Sequence, residues 1–283
     1  MVVNLEYLKK KYLKNFHNDE KFCNFVLTDT MFGFLEISEI LKKNNNINSV
    51  LEIGSGAGIL LNELKTFFPH INFKGVDPNE SGYYRYKEVY ESLEKREFDI
   101  ENIQIEKFST KKNFDLIFSI NVFEHVRDWK KYIDQTNSLL KHNGLIIIFA
   151  PNYDFPYEPH FVLPIIINKT ITEFFFKNRI KKNEIKTNEI GLWEGLYFIG
   201  KREVEKFLMK NNYSYFFDFS IKNRMLDRIM NDKELKRRQG MGGSIAIFAK
   251  SLYIDKLIFD FFKIPFPYMK LIINKKKQIE LYG

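Results

Sequence analysis

The stretch Val50-Leu51-Glu52-Ile53-Gly54-Ser55-Gly56-Ala57-Gly58 decides how this chain is read. An apolar run, 49–53, stops at three closely spaced glycines, and a helical pattern over 58–68 follows until Pro69 stops it. Glycines between a strand and a helix let the backbone turn tightly and approach a ligand. A second run, 71–77, closes on Asp77, 23 positions after Gly54. A carboxylate there can accept from both hydroxyls of a ribose, so loop and acid together point to a nucleoside-containing cofactor at the carboxyl end of a sheet.

Working outward, further apolar runs lie at 102–106 (the weakest), 114–120 and 144–150, separated by helical patterns. That alternation predicts an α/β fold with a parallel sheet, and near-continuous apolar runs suit strands covered on both faces. Helices at 4–14 and 32–43 make residues 1–47 an N-terminal helical cap. The cofactor domain spans 48–250. Within it, 151–200 breaks the alternation with Pro151, Pro156, Pro159 and Pro164, an aromatic cluster and the basic stretch 177–186, and reads as an acceptor-side insert. A helix at 201–211 follows, then late strands at 213–219 and 244–250 separated by a long loop containing 225–239.

Residues 251–283 read as a basic amphipathic tail, with Asp255, Lys256, Asp260 and Lys263 on one helical arc. Charges and Pro265 and Pro267 interrupt any run long enough to span a bilayer. The helix suits peripheral contact with an anionic membrane, packing on the protein's own core, or contact with a second subunit. Oligomeric state stays open.

With 283 residues, 45% of them hydrophobic and 28% charged, the chain has the material for one large domain with an insert and is not mostly disordered. The single Cys23 excludes an intramolecular disulfide and a cysteine-based zinc cluster. The opening MVVNLEYLKKKYLKNF lacks the apolar core of a signal peptide. The expected location is therefore the cytoplasm, with the inner membrane face as the place where the tail would dock. A net charge of +8 allows an anionic partner without naming it.

The cofactor can be narrowed. The glycine spacing is G-x-G-x-G, with Ile59 where a dinucleotide fingerprint has its third glycine, and no Walker-type lysine follows. Glu52 beside the loop disfavours a pyrophosphate and favours a cationic amino-acid end. S-adenosylmethionine (SAM) offers an ammonium, a sulfonium and a ribose with no phosphate.

At this point the chain resembles class I SAM-dependent methyltransferases. Leu51–Gly58 resembles their first motif and Gly75-Val76-Asp77-Pro78-Asn79 their second-strand acid. Phe114–Val126 (FDLIFSINVFEHV) resembles the fourth strand and following segment of a subgroup that includes quinone-biosynthesis methyltransferases. Asn143–Pro151 resembles the fifth strand. The resemblance implies a Rossmann-like class I methyltransferase fold: a seven-stranded, mostly parallel sheet with an antiparallel last strand and helices on both faces. The break after strand five becomes its insert. It also implies that Glu52, Gly54, Ser55, Gly56 and Gly58 surround the methionine end of SAM, Asp77 and Pro78 meet the ribose, and Asn121 lies near the methyl group. The pair that usually meets adenine is replaced by Lys107-Phe108-Ser109, where Phe108 is the candidate to stack on the ring.

A narrower resemblance joins Ala150–Pro164 (APNYDFPYEPHFVLP) and Trp193 to methyltransferases found with bacterial capsule and lipopolysaccharide synthesis. It implies an acceptor oxygen, a sugar hydroxyl or phosphate-type substituent, on a saccharide-related small molecule or glycan precursor, with S-adenosylhomocysteine (SAH) as by-product. A hydroxyl is a weak nucleophile and gains from a general base. His160, in the proline-rich loop, is the leading base, and Glu158 its orienting partner. His125 is the second catalytic candidate. Glu124-His125 alone supplies too few ligands for a metal, and none is expected. Tyr153, Tyr157 and Trp193, with Tyr197, are candidates for an aromatic wall against a sugar; the alternative is core packing. Other readings are a quinone-type acceptor, RNA, or a non-catalytic binding module. Asn121-Val122-Phe123-Glu124 replaces the Asn/Asp-Pro-Pro-Tyr common to base methylation, which argues against nucleic acid, although the basic clusters 177–186 and 233–238 keep RNA in view. The intact loop and Asp77 argue against a non-catalytic module.

Overall fold

The computed structural model describes residues 3–78, 84–93, 97–187, 189–239, 247, 250, 252 and 254–275. Side-chain caps start the first two helices. Asn4 accepts from the Tyr7 amide and begins α1 (Leu5–Tyr12); Asp19 accepts from the Phe22 amide and begins α2 (Glu20–Lys43). The second helix starts twelve residues before the expected 32. Thr28, Asp29, Thr30 and Gly33 interrupt the apolar pattern that would reveal it. Gly33 is a close-approach position: a Cβ there would come 2.5 Å from Leu60 and 2.7 Å from Ile120.

The alternation then runs as expected. It comprises β1 (Ser49–Ile53), α3 (Ile59–Phe67), β2 (Asn72–Val76), α4 (Tyr84–Ser92), β3 (Asp99–Glu101), β4 (Phe114–Ile120), α5 (Trp129–Ser138) and β5 (Leu140–Pro151). The third strand lies at 99–101 rather than 102–106, because its acids occupy a sheet edge and hide the pattern, while Ile105–Lys107 forms a 3-10 turn. The insert holds a short hairpin, β6 (Tyr157–Glu158) with β7 (Leu163–Pro164), and a long helix, α6 (Lys169–Thr187). Then come α7 (Lys201–Lys210), β8 (Ser214–Phe217), α8 (Ile221–Asn231) and β9 (Tyr268–Asn274).

The main sheet has seven strands in the order β3-β2-β1-β4-β5-β9-β8. β9 pairs antiparallel with both β5 and β8; the other pairings are parallel. Alternate residues of β1 feed two cores. Val50 packs with Leu27, Ile37 and Leu60 from α2 and α3; Leu51 packs with Ile117, Trp129 and Val204 on the other face. This is the Rossmann-like class I methyltransferase fold with helices on both faces and an insert after strand five.

Two expectations need correction. The segment 244–250, read as the seventh strand, falls mostly outside the described residues, and the seventh strand is β9. Residues 251–283 therefore do not form a separate tail, since β9 sits inside the sheet with Met269, Leu271 and Ile273 buried. Pro265, Pro267 and the following lysines mask its pattern. The expected loop through 225–239 is helical over most of its length, in α8 and in 233–239.

Polar and apolar residues of 252–263 are not segregated: Lys256, Asp260 and Lys263 are exposed, and so are Leu257, Phe261 and Phe262. The segment Lys256–Phe261 is a π-helix, Asp255 is buried, and Asp260 pairs with Lys222 at 2.6 Å. Lys222 is itself buried and needs that counter-charge. Among the described residues no helix is long and apolar enough to cross a membrane.

Candidate functional site

The glycine loop links β1 to α3 in a conformation that L side chains rarely adopt: φ is +72° at Gly54, +49° at Gly56 and +69° at Gly58. Gly54 is also crowded, because a Cβ would come 2.2 Å from Cγ2 of Val122. The loop is tied to the second strand. The Gly54 amide donates to the Val76 carbonyl at 2.8 Å, and the Gly56 amide donates to Oδ2 of Asp77 at 2.8 Å. Asp77 thus orders the loop as well as facing the cleft.

A cleft of 1560 Å³ opens at the carboxyl ends of β1, β2 and β4. Glu52, Gly54, Ser55, Gly56, Asp77, Pro78 and Asn121 all line it; Gly58 sits behind them, packed near Tyr90, Phe98 and Ile100. Asn79 of the second motif lies outside the described residues. Glu52 is buried, and its Oε2 has no hydrogen-bond partner. Burial, then the nearby Asp77 charge, pushes its carboxyl well above the usual range. A buried carboxylate of this kind is complementary to a cationic group, so the residues present fit the ammonium end of SAM. The Ser55 hydroxyl is also buried without a partner. Asn121 ends β4 with φ +54°, and its Oδ1 accepts from the Tyr268 hydroxyl at 2.8 Å.

The insert brings His160 to the same cleft, with Glu158 behind it. Glu158 is fully buried and accepts from the Tyr153 hydroxyl (3.2 Å), the His160 amide (3.1 Å) and the Phe161 amide (2.6 Å). Its Oε1 lies 2.6 Å from Nδ1 of His160. Burial alone would raise the Glu158 pKa, but the His160 charge and these donors hold it below the usual carboxylate range. The carboxylate is therefore ionised, and Nδ1 carries the proton it accepts. Burial alone would lower the His160 pKa; Glu158 outweighs this and holds it above the usual histidine value.

Nε2 of His160 lies 3.8 Å from Oε1 of Glu124. Glu124 is buried, neither carboxylate oxygen has a hydrogen-bond partner, and burial pushes its pKa up to about 7. The His125 ring packs edge-on against that of His160 at 5.4 Å, and burial followed by the His160 charge brings its pKa down to about 3, so it stays neutral. One donor atom each from Glu124, His125 and His160 lies within 4.8 Å of the others, a set that could hold a divalent ion. Val162, beside this group and on the cleft wall, has φ +54°, a strained value for a β-branched residue.

Besides Gly58 and Glu158, which sit behind the lining, four of the expected contacts are not on the cleft. Phe108 is 1% exposed and belongs to the core under β1 and β4, so it cannot stack on an adenine; Ile103 to Lys107 line the cleft instead. Trp193 is 2% exposed, packs edge-on against Phe161, and donates Nε1 to Glu173. It is the centre of a small core that lets the insert fold. Tyr153 stacks on Phe198 at 4.5 Å and holds Glu158, and Tyr157 donates to Gln239. Of the aromatic set only Tyr197 lines the cleft. Sequence reading misses the wall contributed by α2, including Phe25, Asp29 and Thr30. Polar residues on a helix read as a solvated face, and nothing local distinguishes these.

Comparison with known proteins agrees with this architecture. A family model described as a methyltransferase domain matches residues 32–195, more than half of the chain. An uncharacterized protein of Mycobacterium tuberculosis is 28% identical over 195 residues, 68% of this chain and 66% of that protein. Malonyl-[acyl-carrier protein] O-methyltransferase 2 of Ilyobacter polytropus is 31% identical over 53% of this chain and 57% of its own length. The chain thus spans just under two thirds of the first relative and less of the second. The crystal structure of the plantazolicin methyltransferase BpumL, in complex with a triazolic desmethylPZN analog and SAH, superposes with a TM-score of 0.51 at 14% identity, covering 96% of this chain and 97% of that one. The fold is shared, and by the family match the chain belongs to the methyltransferase-domain family.

Proposed function

We propose that this protein transfers a methyl group from SAM to an oxygen of a saccharide-related small molecule. The observation that carries the reading is the meeting, on one cleft, of the glycine loop and Asp77 with His160, which the buried Glu158 holds from behind. When bound, SAM supplies an electrophilic methyl on a sulfonium leaving group. The chain supplies orientation and proton transfer. Glu52 faces the cationic end, Asp77 the ribose, and Asn121 the methyl region. Glu158 holds the proton on Nδ1 of His160, leaving Nε2 to accept the proton of an acceptor hydroxyl as the new C–O bond forms. Tyr153 acts behind this pair by holding Glu158.

The O-methyl assignment draws support from the relative named an O-methyltransferase. The saccharide class rests on the resemblance of residues 150–164, and the cations lining the cleft suit a substituted sugar better than a quinone-type ring. We place the protein in the cytoplasm. Leu257, Phe261 and Phe262, between Lys256 and Lys263, are the surface that would touch the inner face of an anionic membrane.

The first experiment is a calorimetric titration with SAH beside NAD. Micromolar binding of SAH alone supports the reading, and an acceptor screen of nucleotide sugars, glycan precursors, malonyl-acyl carrier protein and quinone precursors follows. Binding of neither cofactor overturns it in favour of a non-catalytic module. Turnover of an acceptor outside the saccharides keeps the enzyme and removes the substrate class.

A further inference from the structure

Six cations line the cleft from elements other than the glycine loop. Arg127, Lys130 and Lys131 lie just before and within the first turn of α5; Arg179, Lys182 and Lys186 lie on α6 of the insert. The α6 set recurs at i, i+3 and i+7, the spacing of one helix face. Among the described residues, none of the six side chains lies within ion-pair distance of a carboxylate. Arg179 donates to the Val162 carbonyl, and the Lys130 ammonium lies 5.3 Å from the Trp129 ring centre. The nearby acid Asp128 caps α5 through the Lys131 amide. Elsewhere on the same cleft a cation is neutralised: Arg238 pairs with Asp29 at 3.2 Å. Unpaired like charges around a concave opening repel one another and focus a positive potential into it.

We propose that this strip is the subsite for an anionic handle on the acceptor, a phosphate or diphosphate group, carried by the molecule whose hydroxyl reaches His160. Six cations exceed what a single carboxylate would neutralise. Their position on cleft walls fits a compact polyanion rather than a flat macromolecular surface. Arginine offers a fork to two phosphate oxygens, and the lysines add mobile point charges. The handle deepens the transferase reading and rests on it for what happens at the reactive end, but its binding can be measured without turnover.

The probe is inorganic pyrophosphate, titrated calorimetrically at low salt into the full chain saturated with SAH. The variants are R179A/K182A/K186A and, as a control on exposed lysines of α7, K206A/K210A. Wild type and control are expected to bind with submillimolar Kd, the triple variant at least 10-fold more weakly, and all three are expected to hold SAH within twofold. Repeating the titration with UDP-glucose and with phosphatidylglycerol vesicles separates a nucleotide-borne handle from a lipid-borne one: the true source is held by wild type and released by the triple variant. Absence of pyrophosphate binding to wild type, or equal binding by all three proteins, overturns the proposal. So does an RNA or acidic protein released by the triple variant while pyrophosphate binding is unchanged. If wild type fails to bind SAH, the transferase reading falls, and titration without SAH still decides the anion site.

Discussion

Nδ1 of His160 lies 2.6 Å from the buried Oε1 of Glu158, which leaves Nε2 as the ring nitrogen free to take a proton. His160→Ala is expected to lower turnover by about 10²–10⁴-fold, the usual range for loss of a general base, with SAH affinity unchanged within about twofold. Unaltered turnover, measured with any acceptor the screen identifies, removes His160 as the base.

The same pair sets a pH dependence. The His160 pKa is raised, and a base must be neutral to act, so turnover should rise with pH through an apparent pKa above about 6.5. Glu158→Gln removes the carboxylate that favours the charged ring, so the rise should move to lower pH while the maximal rate falls. A profile that stays put in the variant would show that another group titrates.

Asp77→Ala should weaken SAH binding at least 10-fold, because the side chain both faces the cleft, where we propose the ribose binds, and fixes the Gly56 amide. Calorimetry checks this directly. Gly54→Ala tests the loop itself: at φ +72° and 2.2 Å from Val122, the added methyl should cost about 1–3 kcal/mol and lower Tm. Adding Val122→Ala should relieve the clash and restore part of the loss. No recovery would mean that backbone conformation alone is responsible.

Excess EDTA is expected to leave turnover unchanged, because the base reading needs no ion. Loss of turnover that zinc or magnesium restores would reassign Glu124, His125 and His160, whose donor atoms lie within 4.8 Å, as ligands.

A charge cluster away from the cleft governs acid stability. Glu36 binds Arg224 at 2.5 Å and Lys270 at 3.0 Å, and Asp218 contacts the same two cations at 2.9 and 3.3 Å. Burial would raise the Asp218 pKa, but Ser220, Arg224 and Lys270 hold it at about 2. Its contribution is therefore full above the unfolded value near 3.9 and is lost as pH falls toward about 2. Asp218→Asn should flatten the stability curve in that window, as read from urea midpoints at stepped pH. A curve of unchanged shape would exclude Asp218 as the titrating group.

The glycine loop, Asp77 and the parallel strands are legible in sequence because each is a local pattern with a local cause. Glu158 and His160 are close in sequence, so their pairing is legible too. The approach of Glu124 to His160 depends on how the insert folds back and is not. Phe108 and Trp193 mislead for another reason: an aromatic ring looks the same in sequence whether it packs in a core or faces a ligand, and only tertiary burial separates the two. β9 hides because its flanking prolines and lysines suggest a chain leaving the fold rather than entering it.

The position of β9 also imposes an order on synthesis. Among the described residues β8 pairs in the sheet with β9 alone, and the 50 residues 218–267 separate them. At roughly 5–20 residues per second, a ribosome needs about 3–10 s to bridge that gap. During that time the β5 edge stands open and β8 has nowhere to pair. A nascent chain stalled within this interval would expose two unpaired edges, and it is at that point that a chaperone or a protease would meet this protein.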